Sequence, residues 1–127
     1  MNRPPHAETA AQLLVLVEEK KKLQGFLGAT SVTTIHYLLR KSLGMTRAQK
    51  HLQTLLSLFN VAPIDWDVLS DALVLNFADF EDAVLHEAAR HVGAIGIVTR
   101  DVKGFKKSNV RVYSPMELLK TIEGTGV

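Results

Sequence analysis

Between Ala7 and Lys22 the apolar residues Ala10, Leu13, Leu14 and Val17 recur with a 3.6-residue period, and the stretch closes on Lys20, Lys21 and Lys22. That spacing predicts an amphipathic helix whose basic last turn suits the negative end of its dipole. Gly25-Phe26-Leu27-Gly28-Ala29 is a short apolar run between glycines and predicts a brief strand. Thr30 or Ser31 is placed to cap a helix running to about Lys41, which Gly44 ends. Thr46 is placed to cap a further helix carrying Ala48, Leu52, Leu55, Leu56 and Leu58. Val61-Ala62-Pro63-Ile64 then reads as a short strand, with Pro63 confining it to an edge or marking its end. Asp65 caps a helix through Trp66, Val68, Leu69, Ala72 and Leu73, and Asn76 to Phe80 turns into another that ends near His91, before Gly93.

Ile95-Gly96-Ile97-Val98 reads as a fully buried strand with Thr99-Arg100-Asp101 at its carboxyl end. Arg111-Val112-Tyr113 is a last strand. Ser114-Pro115-Met116-Glu117 supplies a cap, a proline at the first helical position and a glutamate at the third, the opening of a final helix through Leu118 and Leu119. Short strands separated by helices predict an α/β fold, a three-layer α/β/α sandwich around a parallel sheet with right-handed crossovers. No repeat, low-complexity tract or linker interrupts it, so residues 1–127 are read as a single domain.

Composition narrows the classes. A chain of 127 residues with 46% hydrophobic and 22% charged side chains is long enough for a core and too apolar for disorder. The absence of cysteine excludes thiol nucleophiles, thiolate zinc sites and disulfide scaffolds, and fits a cytoplasmic location. The densest apolar run, Leu13 to Val17, is too short for a bilayer, and Met1 to Ala10 has two prolines and no apolar signal core. The net charge of +2 hides a division into a basic first half (eight basic, three acidic residues up to 64), an acidic middle (two and eight over 65–101) and a basic end (five and two). Carboxylates between cationic arms suit a metal-dependent enzyme acting on a polyanion, or three patches of solvated surface.

The acidic middle has internal order. On a helix starting at Phe80, Asp79, Asp82 and His86 share a face opposite Phe80, Val84, Leu85, Ala88, Ala89 and Val92, although Glu81 breaks the pattern. A helix amino terminus also collects acids through its dipole alone. Asp101 follows the predicted buried strand, and ligands of open α/β sheets bind at strand carboxyl ends. Asp82 and Asp101 are thus expected toward one rim, where oxygen ligands select Mg²⁺ or Mn²⁺. His86 and His91, five apart, lack the spacing by which one helix presents two zinc ligands and read as surface histidines. No phosphate-binding glycine fingerprint or nucleophile elbow exists. Trp66 and Phe26 read as core aromatics rather than base-stacking platforms.

Asp79-Phe80-Glu81-Asp82-Ala83, the alanine-rich helix after it, Ile97-Val98-Thr99-Arg100-Asp101 and Phe105 resemble the C-terminal half of PIN domains. Thr30 to Arg40 resembles their middle helix and Ser114 to Leu119 their closing strand-to-helix step, so the resemblance covers nearly the whole chain. It implies a single-strand-directed ribonuclease fold of the kind common in VapC-like toxins of bacterial toxin–antitoxin pairs, with an acidic rim holding Mg²⁺ or Mn²⁺. On that resemblance Asp82 and Asp101 are the expected catalytic metal ligands and Asp79 a neighbouring carboxylate of the metal site. Arg100, Lys103, Lys106 and Lys107 are the expected contacts to single-stranded RNA, and a cognate antitoxin is an expected partner.

The chain departs from the family pattern in three places. PIN domains open with a strand ending in an Asp-Thr-Asn type motif, and Met1 to His6 resembles the stretch that follows it, so the first, central strand is expected to be missing. Tyr37 stands where many members carry glutamate, and Gly104 replaces a frequent acidic residue before Phe105. A sheet without its central strand would expose hydrogen-bonding edges, which predicts a homodimer. The alternative expectation is a catalytically impaired remnant acting as a nucleic-acid-binding or dimerisation module.

Overall fold

The computed structural model describes residues 15–17 and 23–124. Val15 to Val17 are helical; the rest of the helix expected over Ala7 to Lys22, like the expectation about the opening strand, lies outside the described residues. From there the elements run β1 (Phe26–Gly28), α1 (Ala29–Leu43), α2 (Met45–Leu58), β2 (Asn60–Ala62), α3 (Trp66–Leu73), α4 (Phe80–His91), β3 (Ile97–Val98), a 3₁₀ turn (Val102–Phe105), β4 (Val112–Tyr113) and α5 (Pro115–Gly124). Strands alternate with helices and pair in parallel, the mixed α/β class that the pattern predicts. Among the described residues they form two separate pairs rather than one continuous sheet. Leu27 lies opposite Val61 in β1–β2, and Val98 opposite Tyr113 in β3–β4.

The caps divide into those the side chains supply and those the backbone supplies. Asp65 accepts the Val68 N–H at 3.0 Å and Asp79 accepts the Asp82 N–H at 3.0 Å, each satisfying an orphan donor of the first turn. Ser114 and Glu117 exchange bonds in a capping box, with Pro115 as the first helical residue. Two expected caps are not used. Gly28 precedes α1 without a side-chain cap, while Thr33 and Thr34 turn their hydroxyls back to the Thr30 carbonyl. Gly44 ends α1 and opens α2 in one step, so Thr46 falls inside the helix. Its φ of +85°, like the +73° of Gly93 after α4, lies in the left-handed region that only glycine enters at no steric cost.

The core is small and sits between α3 and α4. Ala62, Val68, Ala72, Ala83, Val84 and Ala88 are buried together, with Ile64, Leu75, Phe77 and Val92 packed against them. Alanines at the contact let the two helices approach closely. The burial of α4 is rotated from the expected arc: Ala83, Val84, His86, Glu87 and Ala88 are inside, whereas Phe80 is exposed. His86 is therefore a fully buried side chain at 0% exposure rather than a surface histidine, because its ring packs on Phe77 and both nitrogens find partners. Trp66 is 78% exposed and Phe26 is exposed as well, so neither is the expected core aromatic. α3 turns the opposite face, Val68 and Ala72, to α4. The predicted buried strand is shorter and more open, with Ile95 at 93% and Val98 at 46% exposure, and among the described residues β3 pairs along a single edge, with β4.

Candidate metal centre

Asp82 stands in the first turn of α4, its backbone held by the Asp79 cap. Asp101 follows β3 and opens the 3₁₀ turn; its N–H donates to the Thr99 hydroxyl at 3.0 Å, and its carbonyl accepts from Gly104 N at 3.2 Å. These two bonds fold the chain back on itself just past the strand end. Phe105 closes the turn as an anchor, buried and edge-on to Phe77 with centroids 6.0 Å apart. The rim expected from the sequence thus forms, with the amino end of α4 and the carboxyl end of β3 side by side.

The two carboxylates meet over Gly104. A Cβ placed there would lie 2.8 Å from Asp82 Oδ2 and 3.2 Å from Asp101 Oδ2, so both oxygens flank one small space that a side chain would fill. Among the described residues neither carboxylate accepts a hydrogen bond or joins an ion pair. Burial, together with the charges of Asp79, Asp101 and Glu81, raises the Asp82 pKa above the ordinary aspartate value. Converging anions without a cationic partner are what a hard divalent ion would neutralise, and carboxylate oxygens are the donors such an ion selects. Asp79 is near enough to act on Asp82 by charge, while one of its own oxygens is engaged in the helix cap. Arg100, Lys103, Lys106 and Lys107 are exposed in and beside the turn that follows Asp101.

A second cluster, which the sequence reading missed, joins α3 to α4. Asp71, Glu87 and His91 offer ligand atoms within 4.8 Å of one another. Arg90 already occupies the position of a cation there: its Nη2 lies 2.7 Å from Glu87 Oε1 and 3.1 Å from Asp71 Oδ2. His91 Nε2 is 2.8 Å from the same Asp71 oxygen. Deeper in, His86 Nε2 accepts the Asn109 N–H at 3.1 Å, which leaves Nδ1 to donate to Glu87 Oε2 at 2.7 Å. Burial alone would push the Glu87 pKa up, but the bonds and charges of Arg90 and His86 outweigh it and hold the carboxyl below its ordinary value. Each carboxylate has hydrogen-bonded partners, and the network is a strut between helices. The carboxylates of Asp82 and Asp101, by contrast, have no such partner among the described residues. Glu87 and Arg90 at i, i+3 of one helix were the available signal for the strut.

A family model described as PIN domain matches residues 1–103. No curated protein matches the chain.

Proposed function

The chain belongs to the PIN domain family, and from that membership, which implies a nuclease-type function, we propose a divalent-metal-dependent endoribonuclease of the VapC-like toxin type acting on single-stranded RNA. The observation that carries the reading is the meeting of Asp82 and Asp101 over Gly104, a cradle that a Cβ would fill. Asp82 and Asp101 would hold Mg²⁺ or Mn²⁺, with Asp79 beside them. The ion supplies activation of water and neutralisation of the phosphoryl charge when bound. The residues of the chain do the rest. Arg100, Lys103, Lys106 and Lys107 hold backbone phosphates against the rim, where their charge offsets the repulsion between an acidic site and a polyanion. Thr99 orients the backbone of Asp101, and the Asp79 cap fixes the turn that carries Asp82. A cytoplasmic location, a cognate antitoxin and a homodimer complete the proposal; no helix among the described residues is long and apolar enough to cross a membrane.

One observation favours a second reading. Two carboxylates, Asp82 and Asp101, meet at the cradle among the described residues, and a two-metal site needs carboxylates from several elements to fix its ions. An impaired remnant that binds RNA on its cationic turn, or that dimerises, follows from weak metal binding. Cleavage of single-stranded RNA with Mn²⁺ separates the two. Turnover by the native chain that Asp82→Asn and Asp101→Asn each abolish supports the nuclease, and equal inactivity of all three supports the remnant.

A further inference from the structure

Residues 20–64 contain no aspartate or glutamate, and they include all of α1 and α2. Within α2, Arg47, Lys50, His51 and Thr54 stand at i, i+3, i+4 and i+7, the spacing of a single helix face, and line a shallow open depression. All four are exposed, and neither Arg47 nor Lys50 joins an ion pair among the described residues. The Thr54 hydroxyl donates to the Lys50 carbonyl at 3.2 Å, so charge rather than hydroxyl donation characterises the face. Thr46, Gln53 and Ser57 extend it with polar side chains. At 100° per residue the exposed apolar residues of the helix, Met45 and Leu56, fall on the other side. Arg40 and Lys41 add two cations just across the Gly44 turn.

Uninterrupted positive charge without an apolar anchor matches a phosphate backbone. It lacks the buried aromatic or aliphatic centre around which a protein partner forms its core contact. We infer that this face of α2 is a second RNA-binding surface, which holds phosphates of single-stranded RNA on Arg47 and Lys50, on a different element from the cationic turn beside Asp101. The identity of the polyanion rests on the nuclease reading; the place of the surface rests on α2 alone. Binding there is indifferent to base sequence, because the side chains meet only backbone charge.

The test titrates the full chain into a fluorescent single-stranded oligouridylate in EDTA, over a series of salt concentrations, for the native protein and for Arg47→Gln/Lys50→Gln. The double variant is expected to bind about tenfold more weakly, and the slope of log affinity against log salt to fall by about 1.4, or about 0.7 for each phosphate no longer neutralised. Lys120→Gln, one exposed charge removed from α5, should leave its slope nearest the native value. An unaltered slope in the double variant, with RNA still bound by the native chain, overturns the surface and leaves the nuclease reading standing. Binding that depends on Arg47 and Lys50 in a chain that never cleaves RNA with Mn²⁺ supports the surface and removes the nuclease. Native protein that ignores RNA, or that takes polyglutamate more tightly through the same two residues, overturns it, the latter in favour of an acidic protein partner.

Discussion

Phe105 meets Phe77 edge-on, ring centroids 6.0 Å apart at 84°, and Phe77 in turn lies 5.1 Å from the His86 ring. This aromatic series runs from the turn that bears Asp101 to the helix that bears Asp82. The acidic rim is therefore held from beneath by packing, while its oxygens repel one another above. Stability and site geometry share one contact.

Phe105→Ala should cost about 3–5 kcal/mol of folding stability, the range for emptying a buried aromatic position, read as a lower urea midpoint. Phe105→Leu should lose less of both stability and geometry. If the anchor positions Asp101, Mn²⁺ affinity measured by calorimetry under native conditions falls in the leucine variant as well. Unchanged affinity there would show that the turn holds its shape without the ring.

Glu87→Ala leaves the buried His86 Nδ1–H without an acceptor and takes one of two carboxylates from Arg90. The expected loss is about 2–4 kcal/mol. Asp71→Asn touches only exposed partners and should cost less than about 1 kcal/mol. The pH dependence carries a sign. Because the folded Glu87 pKa is depressed, its contribution is present above the ordinary glutamate pKa and is lost as pH falls through the depressed value. The gap in unfolding midpoint between the native chain and Glu87→Gln should therefore close under acid.

Asp82 has the opposite sign. With its pKa raised by burial and by the charges of Asp79, Asp101 and Glu81, its contribution to stability is complete below 3.8 and is lost as pH rises through the elevated value. Asp82→Asn should then raise the metal-free melting temperature at neutral pH and make no difference in acid. Added Mn²⁺ should stabilise the native chain and not the variant, which reverses their order. Thermal unfolding at a series of pH values, with and without Mn²⁺, reads both effects, and a variant that melts lower at every pH contradicts the repulsion.

The residues that were legible are those whose local chemistry decides their structure. Asp65, Asp79 and the Ser114/Glu117 pair cap helices within three residues of themselves, and Gly44 and Gly93 enter a backbone region that excludes other side chains. Asp82 and Asp101 were placed on one rim by a rule of topology that needs only the order of helix and strand. What failed depends on the partner across the interface. The burial of His86 is decided by Asn109 and Phe77, far along the chain or in a preceding loop, and an isolated helical wheel cannot weigh them. Trp66 was misplaced for the same reason, since α3 needs only Val68 and Ala72 to meet α4. The division of the strands into two pairs is a property of the whole sheet, with no local signature.

Trp66 and Leu73, 78% and 72% exposed, stand with Leu69 at i, i+3 and i+7 on the outer face of α3. β1 and β3 each pair along a single edge among the described residues. An exposed apolar stripe and open strand edges each favour self-association. Light scattering should find a dimer at micromolar concentration, and Trp66→Ser/Leu73→Ser should shift it to monomer. A stable native monomer would remove the stripe as an interface.

Gly104→Ala tests the cradle most directly. The added methyl would sit 2.8 Å from Asp82 Oδ2, closer than a carbon and an oxygen tolerate, and a tight 3.2 Å from Asp101 Oδ2. Side-chain oxygens can swing away at little cost, so the fold should survive with a melting temperature within a few degrees of the native value. What the methyl removes is the shared space. Mn²⁺ affinity by calorimetry should fall by at least about tenfold, the scale on which disturbed ligand support weakens a metal site. Asp82 should also lose part of its elevated pKa as the two carboxylates part, a change visible in its carboxyl carbon titration by nuclear magnetic resonance without any metal present. An alanine variant with native Mn²⁺ affinity and a native Asp82 titration would mean that the oxygens over Gly104 are surface charges that do not act together.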